Sequence, residues 1–113
     1  MGTVWHARVD PDTWEPMELG GQIVGEVHLV RAGEGELPYT VGLWRVLGDV
    51  PDGFDYAFAQ DETIHVLEGE VEIAVDGGPT LHLGAGEVAS FAVGTQTRWQ
   101  IARTPFKELF VLS

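Results

Sequence analysis

Glycine and proline recur so often in this chain that a long helix has nowhere to form. Fifteen glycines and six prolines interrupt the sequence at short, regular intervals. The runs between them alternate with a period of two and are rich in β-branched and aromatic residues, as in Ile23–Val30, Tyr39–Val46 and Val71–Val75. Further runs of this kind span 54–58, 63–67, 70–75, 80–83, 87–92, 97–103 and 107–112. A period of two places alternate side chains on opposite faces of a strand. No window of helical length keeps apolar residues at three-four spacing, and 10–19 holds at best one short turn between its prolines. Asp76-Gly77-Gly78-Pro79 is a strong hairpin signal. About nine short strands separated by turns predict an all-β sandwich or barrel. The 113 residues form one domain, 1–113, with no repeat, linker or low-complexity segment. Residues 1–21 are the least regular, with Pro11, Pro16 and Gly20-Gly21, and are expected to form an N-terminal arm. The barrel is expected over 22–113.

Charge narrows the function. Eighteen acids against six bases give a net charge of −12. Such a surface repels phosphate backbones and anionic membranes, so neither nucleic acid nor membrane is an expected partner. There is no cysteine, which excludes disulfides, thiolate metal sites and cysteine nucleophiles and fits a cytoplasmic protein. MGTVWHARVD has no apolar core of a signal peptide, and no apolar run reaches the length of a membrane span. His6 stands where a myristoylation signal requires Ser or Thr. Ser90 has no nucleophile-elbow context, and no phosphate-binding glycine motif is present.

Two segments carry a family resemblance. Glu62 is followed by an apolar strand and then by Leu67-Glu68-Gly69-Glu70; Gly86-Glu87-Val88 is followed by Phe91 and Gly94. In order and spacing, with the 76–79 hairpin between them, they resemble the two conserved motifs of the cupin superfamily. Gly42-Leu43-Trp44, Trp99 and Lys107–Val111 further resemble small single-domain cupins grouped with the ureidoglycine aminohydrolase cupin domain. The likeness spans about residues 40–113. It implies a double-stranded β-helix, or jelly-roll barrel, usually homodimeric. It also implies a metal held by two His of an H-x-H, a Glu and a later His. Only the Glu is retained, as Glu62; Tyr56, Phe58 and Thr97 occupy the positions where the His residues would fall. No metal and no other cofactor are therefore expected.

By the same resemblance Glu62 points into the barrel. A carboxyl group in an apolar cup with Tyr56 and Phe58 is partly desolvated, which raises its pKa and suits it to acid–base work. The competing reading is a buried acid that merely fixes the core. Trp44, Phe58, Phe91, Thr97 and Trp99 are candidate substrate-binding residues lining an aromatic pocket, though ordinary core filling explains any one of the rings. His65, three residues after Glu62, falls on the opposite face of the strand. His28 and His82 read as hydrogen-bonded structural residues, with an atypical metal site the alternative if either turned inward. Arg45, Arg98 or Arg103 would hold a substrate carboxylate if turned inward, and otherwise pair with surface acids.

Three functions follow. The first is an enzyme acting on a small polar or nitrogen-containing metabolite by metal-free acid–base chemistry, an isomerase, lyase, cyclase or hydrolase, with Glu62 and Tyr56 as its catalytic groups. The second is a non-catalytic ligand sensor or dimeric binding module. The third is a metal-dependent cupin with atypical ligands. Val4, Trp5, Trp14 and Met17 lack an obvious strand partner, which adds to the expectation of a homodimer.

Overall fold

The computed structural model describes residues 2–33, 39–48 and 53–113. It contains eight strands and, among the described residues, no helix: β1 (Glu15–Leu19), β2 (Gln22–Arg31), β3 (Thr40–Val46), β4 (Phe54–Ala57), β5 (Glu62–Val75), β6 (Thr80–Gly84), β7 (Val88–Phe91) and β8 (Gln96–Leu112). All pairings are antiparallel.

The sheet is organised on its two longest strands. β5 and β8 pair from Glu62↔Leu112 to Val75↔Thr97. Along its first half β5 is flanked by β7, while the second half of β8 is flanked by β3, β2 and β1. Past the middle, β6 flanks β5 and β4 flanks β8. The same two strands thus run through two layers, the jelly-roll arrangement of a double-stranded β-helix. The register shifts repeatedly between Val66 and Val71, where the pair turns from one layer to the other. Two segments expected on either side of Gly69 are therefore one strand, as are 97–103 and 107–112.

Period-two alternation builds the core. Ile64, Val66 and Ile73 of β5 meet Phe106 of β8, and all four are fully buried. Opposite residues such as Thr63 and Glu72 lie on the outer face. The 76–79 hairpin forms as expected: Val75 N donates to Pro79 O and Gly78 N to Val75 O.

The N-terminal segment departs from expectation. Residues 15–19 form β1, which pairs with β2 across a Gly20-Gly21 turn, both glycines having positive φ. The sheet thus begins inside the stretch expected to be an arm. The residues before it are tied down by side chains. Arg45 lies over the Trp14 ring and Arg31 over the Trp5 ring, and Lys107 pairs with Asp10.

Gly69 and Gly77 both have positive φ, but their surroundings differ. A Cβ on Gly69 would stand 2.5 Å from Pro105 O and 2.6 Å from Arg103 O, whereas one on Gly77 would meet nothing within 4 Å. Gly77→Ala carries the backbone strain alone, about 1 kcal/mol. Gly69→Ala adds a clash with main-chain atoms that cannot rotate away and is expected to cost about 2 kcal/mol more. Urea denaturation of the two variants measures the difference; equal losses would show that the strand crossing tolerates a side chain.

Candidate functional site

Alternation sends some polar side chains inward along with the apolar ones. On β5 the inward series is Glu62, Ile64, Val66; on β8 it is Phe106, Glu108, Phe110. Glu62 is 6% exposed and Glu108 2%. Both line one cavity of about 260 Å³ between the layers. Its walls are apolar side chains of β1, β2 and β8, among them Met17, Val27 and Phe110, with the rings of Trp44, Phe54 and Trp99. Leu29 on its rim is half-exposed, so the cavity reaches the surface there.

The two carboxyl groups differ in their partners. Tyr56 on β4 donates its hydroxyl to Glu62 Oε1 at 2.9 Å. Glu108 Oε1 is buried and has no hydrogen-bond partner among the described residues. Glu62 lies opposite Leu112 and Glu108 opposite Val66, so four residues of strand separate them, roughly 13 Å of backbone. The two carboxyl groups thus reach the cavity from different strands. Burial pushes Glu62 up to about 6, against the opposing effect of the Tyr56 hydrogen bond. Burial, reinforced by repulsion from Glu62, holds Glu108 well above the usual carboxylate range. Burial and the neighbouring Glu62 raise Tyr56 as well, so its hydroxyl keeps its proton and acts as a fixed donor.

The aromatic wall is locked in place. Trp44 meets Phe54, Trp99 and Phe106 edge-on at 5.6–5.9 Å between ring centroids, and Phe54 stacks on Trp99. Trp44 Nε1 donates to Val24 O at 2.7 Å. Trp99 Nε1 donates to Thr97 Oγ1, and that hydroxyl donates to Tyr56 O. Both indole N–H groups are thus satisfied within the protein, and the wall offers carbon to the cavity.

The candidates named from sequence separate into two groups. Glu62, Tyr56, Trp44 and Trp99 come together on the cavity. Phe58, Phe91 and Thr97 do not line it: Phe58 and Phe91 stack on each other at 4.5 Å behind Tyr56, and Thr97 links the Trp99 ring to the Tyr56 backbone. Arg45 pairs with Glu26 and Arg98 with Asp55, outside the cavity. Glu108 was missed by sequence reasoning, although its place between Phe106 and Phe110 in a period-two strand marked it as inward.

Whether these residues fit the metal that the cupin resemblance implies depends on their donors. His28 Nδ1 lies 2.8 Å from Thr13 O, His65 is on the face of β5 opposite Glu62, and exposed His82 sits 3.9 Å from Glu72. None of the three lines the cavity. Among the described residues no three His, Cys, Asp or Glu side chains converge. Two separated carboxyl groups and a phenol already engaged do not make the three- or four-ligand shell that a first-row divalent ion takes.

A two-layer antiparallel barrel with an inward Glu at the start of one of its two long strands defines a small single-domain cupin. The family model of the EutQ-like cupin domain matches residues 38–109, and the chain belongs to that family. No curated protein sequence matches it. Among solved structures it is similar to a DUF861 family protein from Thermotoga maritima, at 25% identity and a TM-score of 0.55 over 63% of this chain and 76% of that one. It is similar to the Clostridium difficile EutQ protein at 17% identity and a TM-score of 0.64, over 87% and 75%. The Fe(II) form of HppE aligns over 99% of this chain, with a TM-score of 0.74 and 17% identity, and this chain covers 61% of its length. These comparisons give the EutQ-like family and do not name the ureidoglycine aminohydrolase group.

The Glu62 environment has a consequence for stability. Its value rises from 4.5 to about 6 on folding, so the folded chain retains a proton that the unfolded chain releases. Stability from this group is complete below pH 4.5 and is lost as pH rises to about 6, by about 2 kcal/mol at about 1.4 kcal/mol per pH unit. Glu62→Gln keeps an oxygen acceptor for Tyr56 and removes the charge. Urea denaturation is expected to show the variant more stable than the parent by about 1–2 kcal/mol at pH 8 and nearly equal to it at pH 4. An equal difference at both pH values would show that charge burial is not its cause.

Proposed function

We propose that this cupin binds a small, largely apolar molecule in the barrel and acts on it by acid–base chemistry, without a metal. The observation that carries the reading is two buried carboxyl groups lining one apolar cavity from different strands, one oriented by Tyr56 and the other with an oxygen, Oε1, that has no hydrogen-bond partner among the described residues. Separate environments for two such groups permit opposite protonation states, which is how paired carboxyls divide acid and base roles. Glu62, near 6, is ionised at neutral pH and serves as the base. Burial holds Glu108 above the usual carboxylate range, which suits it to serve as the acid. Tyr56, whose hydroxyl holds its proton too firmly to give it up, positions Glu62 rather than acting as a second proton donor. The apolar lining shifts the expected substrate away from a strongly polar metabolite toward one with few polar groups.

The donors facing the cavity favour the metal-free reading over a metal-dependent one. HppE is described with Fe(II), but a likeness at 17% identity carries the fold alone. The aromatic lining equally suits a non-catalytic binding module, so the test separates catalysis from binding. Cyclohexanone is a probe with a carbon-bound acidic proton and one carbonyl. In deuterated buffer Glu62 would take the proton next to the carbonyl while Glu108 donates to the carbonyl oxygen; return of a deuteron labels the carbon. Proton NMR is expected to show label uptake above the buffer rate, about a hundred-fold slower in Glu62→Gln. Binding without exchange would leave the protein a binding module.

The reading includes a cytoplasmic homodimer. Support from the N-terminal residues is reduced, because Met17 lines the cavity and Trp14 packs under Arg45, while Val4 and Trp5 remain exposed. Exposed Ile23, Leu29 and Tyr39 on and beside β2 and β3 add apolar surface for a second copy. Sedimentation at micromolar concentration is expected to give a dimer; a monomer would overturn the assembly.

A further inference from the structure

We propose that the cavity takes a small alkylammonium ion, the ammonium group held between Glu62 and Glu108 and the alkyl part against the aromatic wall. This rests on the reading of the cavity as a ligand site and names the class of molecule it takes. Buried charges are ordinarily paired within the protein. Among the described residues two carboxyl groups and no Lys, Arg or His line the cavity. Every basic side chain with a described ion pair, namely Arg45, Arg98, Lys107 and His82, spends it outside the cavity. Glu108 is 2% exposed, lines the cavity and has an oxygen with no donor. A ligand that brings both a positive charge and an N–H supplies what these groups lack.

Three further observations point the same way. The indole N–H groups of Trp44 and Trp99 are already bonded, so these rings and Phe54 present carbon, a surface that accepts an alkyl chain and favours a cation over an anion. Ionised Glu62 repels carboxylate and phosphate ligands. The net charge of −12 extends that preference to the approach from solvent.

Binding of a cation is coupled to proton loss. Among the described residues the titratable groups that share the cavity with Glu108 are Glu62 on β5 and Tyr56 on β4; β1, β2 and β3 contribute none. Tyr56 stays protonated, so the proton released on binding comes from the carboxyl groups. Affinity therefore rises with pH as the fraction of protein already deprotonated rises.

Cyclohexylammonium and cyclohexanol test this, because they share a ring and a hydrogen-bond donor and differ in charge. The amine stays charged between pH 5 and 8, as an alkylamine of ordinary basicity does. Isothermal titration of the intact protein at pH 8 is expected to give the cation at least about ten-fold tighter than the alcohol, and about ten-fold tighter than the same cation at pH 5. Glu108→Gln is expected to remove most of the preference for the cation at pH 8. Equal binding of the two probes would overturn the cation assignment and leave the cavity a small-molecule site. Tighter binding of the cation without dependence on pH or on Glu108 would place it elsewhere on the acidic surface and overturn the proposal. Binding of neither probe would overturn both this inference and the ligand-site reading.

Discussion

From Glu62↔Leu112 to Val75↔Thr97, β5 and β8 hold each other in one antiparallel ladder. Side chains on a strand alternate strictly, so this register decides which acids meet the cavity. Sliding either strand by one residue would turn its inward set outward, exposing Ile64 and Val66 or Phe106 and Phe110. The apolar members of each series thereby secure the orientation of Glu62 and Glu108. The site is carried by the same alternation that makes the core.

That arrangement opposes stability locally. A carboxyl group placed among Ile64, Phe110 and the tryptophans loses its water, and Glu108 recovers no hydrogen bond to Oε1 among the described residues. Natural folds retain such groups where the surroundings over-determine the structure. Here the interlocked rings of Trp44, Phe54, Trp99 and Phe106 and the fully buried aliphatic residues of β5 provide that determination. The Thr97 hydroxyl ties the Trp99 ring to the strand that carries Tyr56, and Tyr56 in turn orients Glu62. Thr97 supports the site from behind its wall.

The N-terminal strand shows how local signals mislead at an edge. Pro16 in Glu15-Pro16-Met17-Glu18-Leu19 argues against a strand interior, but a proline is tolerated where one side of the strand has no partner. β1 is the outermost strand on β2, and its acids and proline leave its open edge poorly suited to pairing with another chain. Met17 and Leu19, read from sequence as part of an arm, close one side of the cavity.

The all-β class, the 76–79 hairpin and the inward position of Glu62 were legible in the sequence, because alternation, turn chemistry and motif spacing are local properties. Glu108 was legible in principle from Phe106 and Phe110 on either side, but it falls at none of the metal-ligand positions that the cupin resemblance marks. Whether a ring lines a cavity or fills the core behind it was not legible: Phe91 and Trp99 are both buried aromatics in strands, and only packing separates them. Nor does sequence say that 62–75 and 96–112 each continue through a bend, since Gly69 reads equally as a turn. What alternation determined was the face on which each side chain stands. The meeting of Glu62 and Glu108 at one cavity, and the lack of a donor to Glu108 Oε1 among the described residues, depend on strands far apart in the chain, and only the tertiary structure decided them.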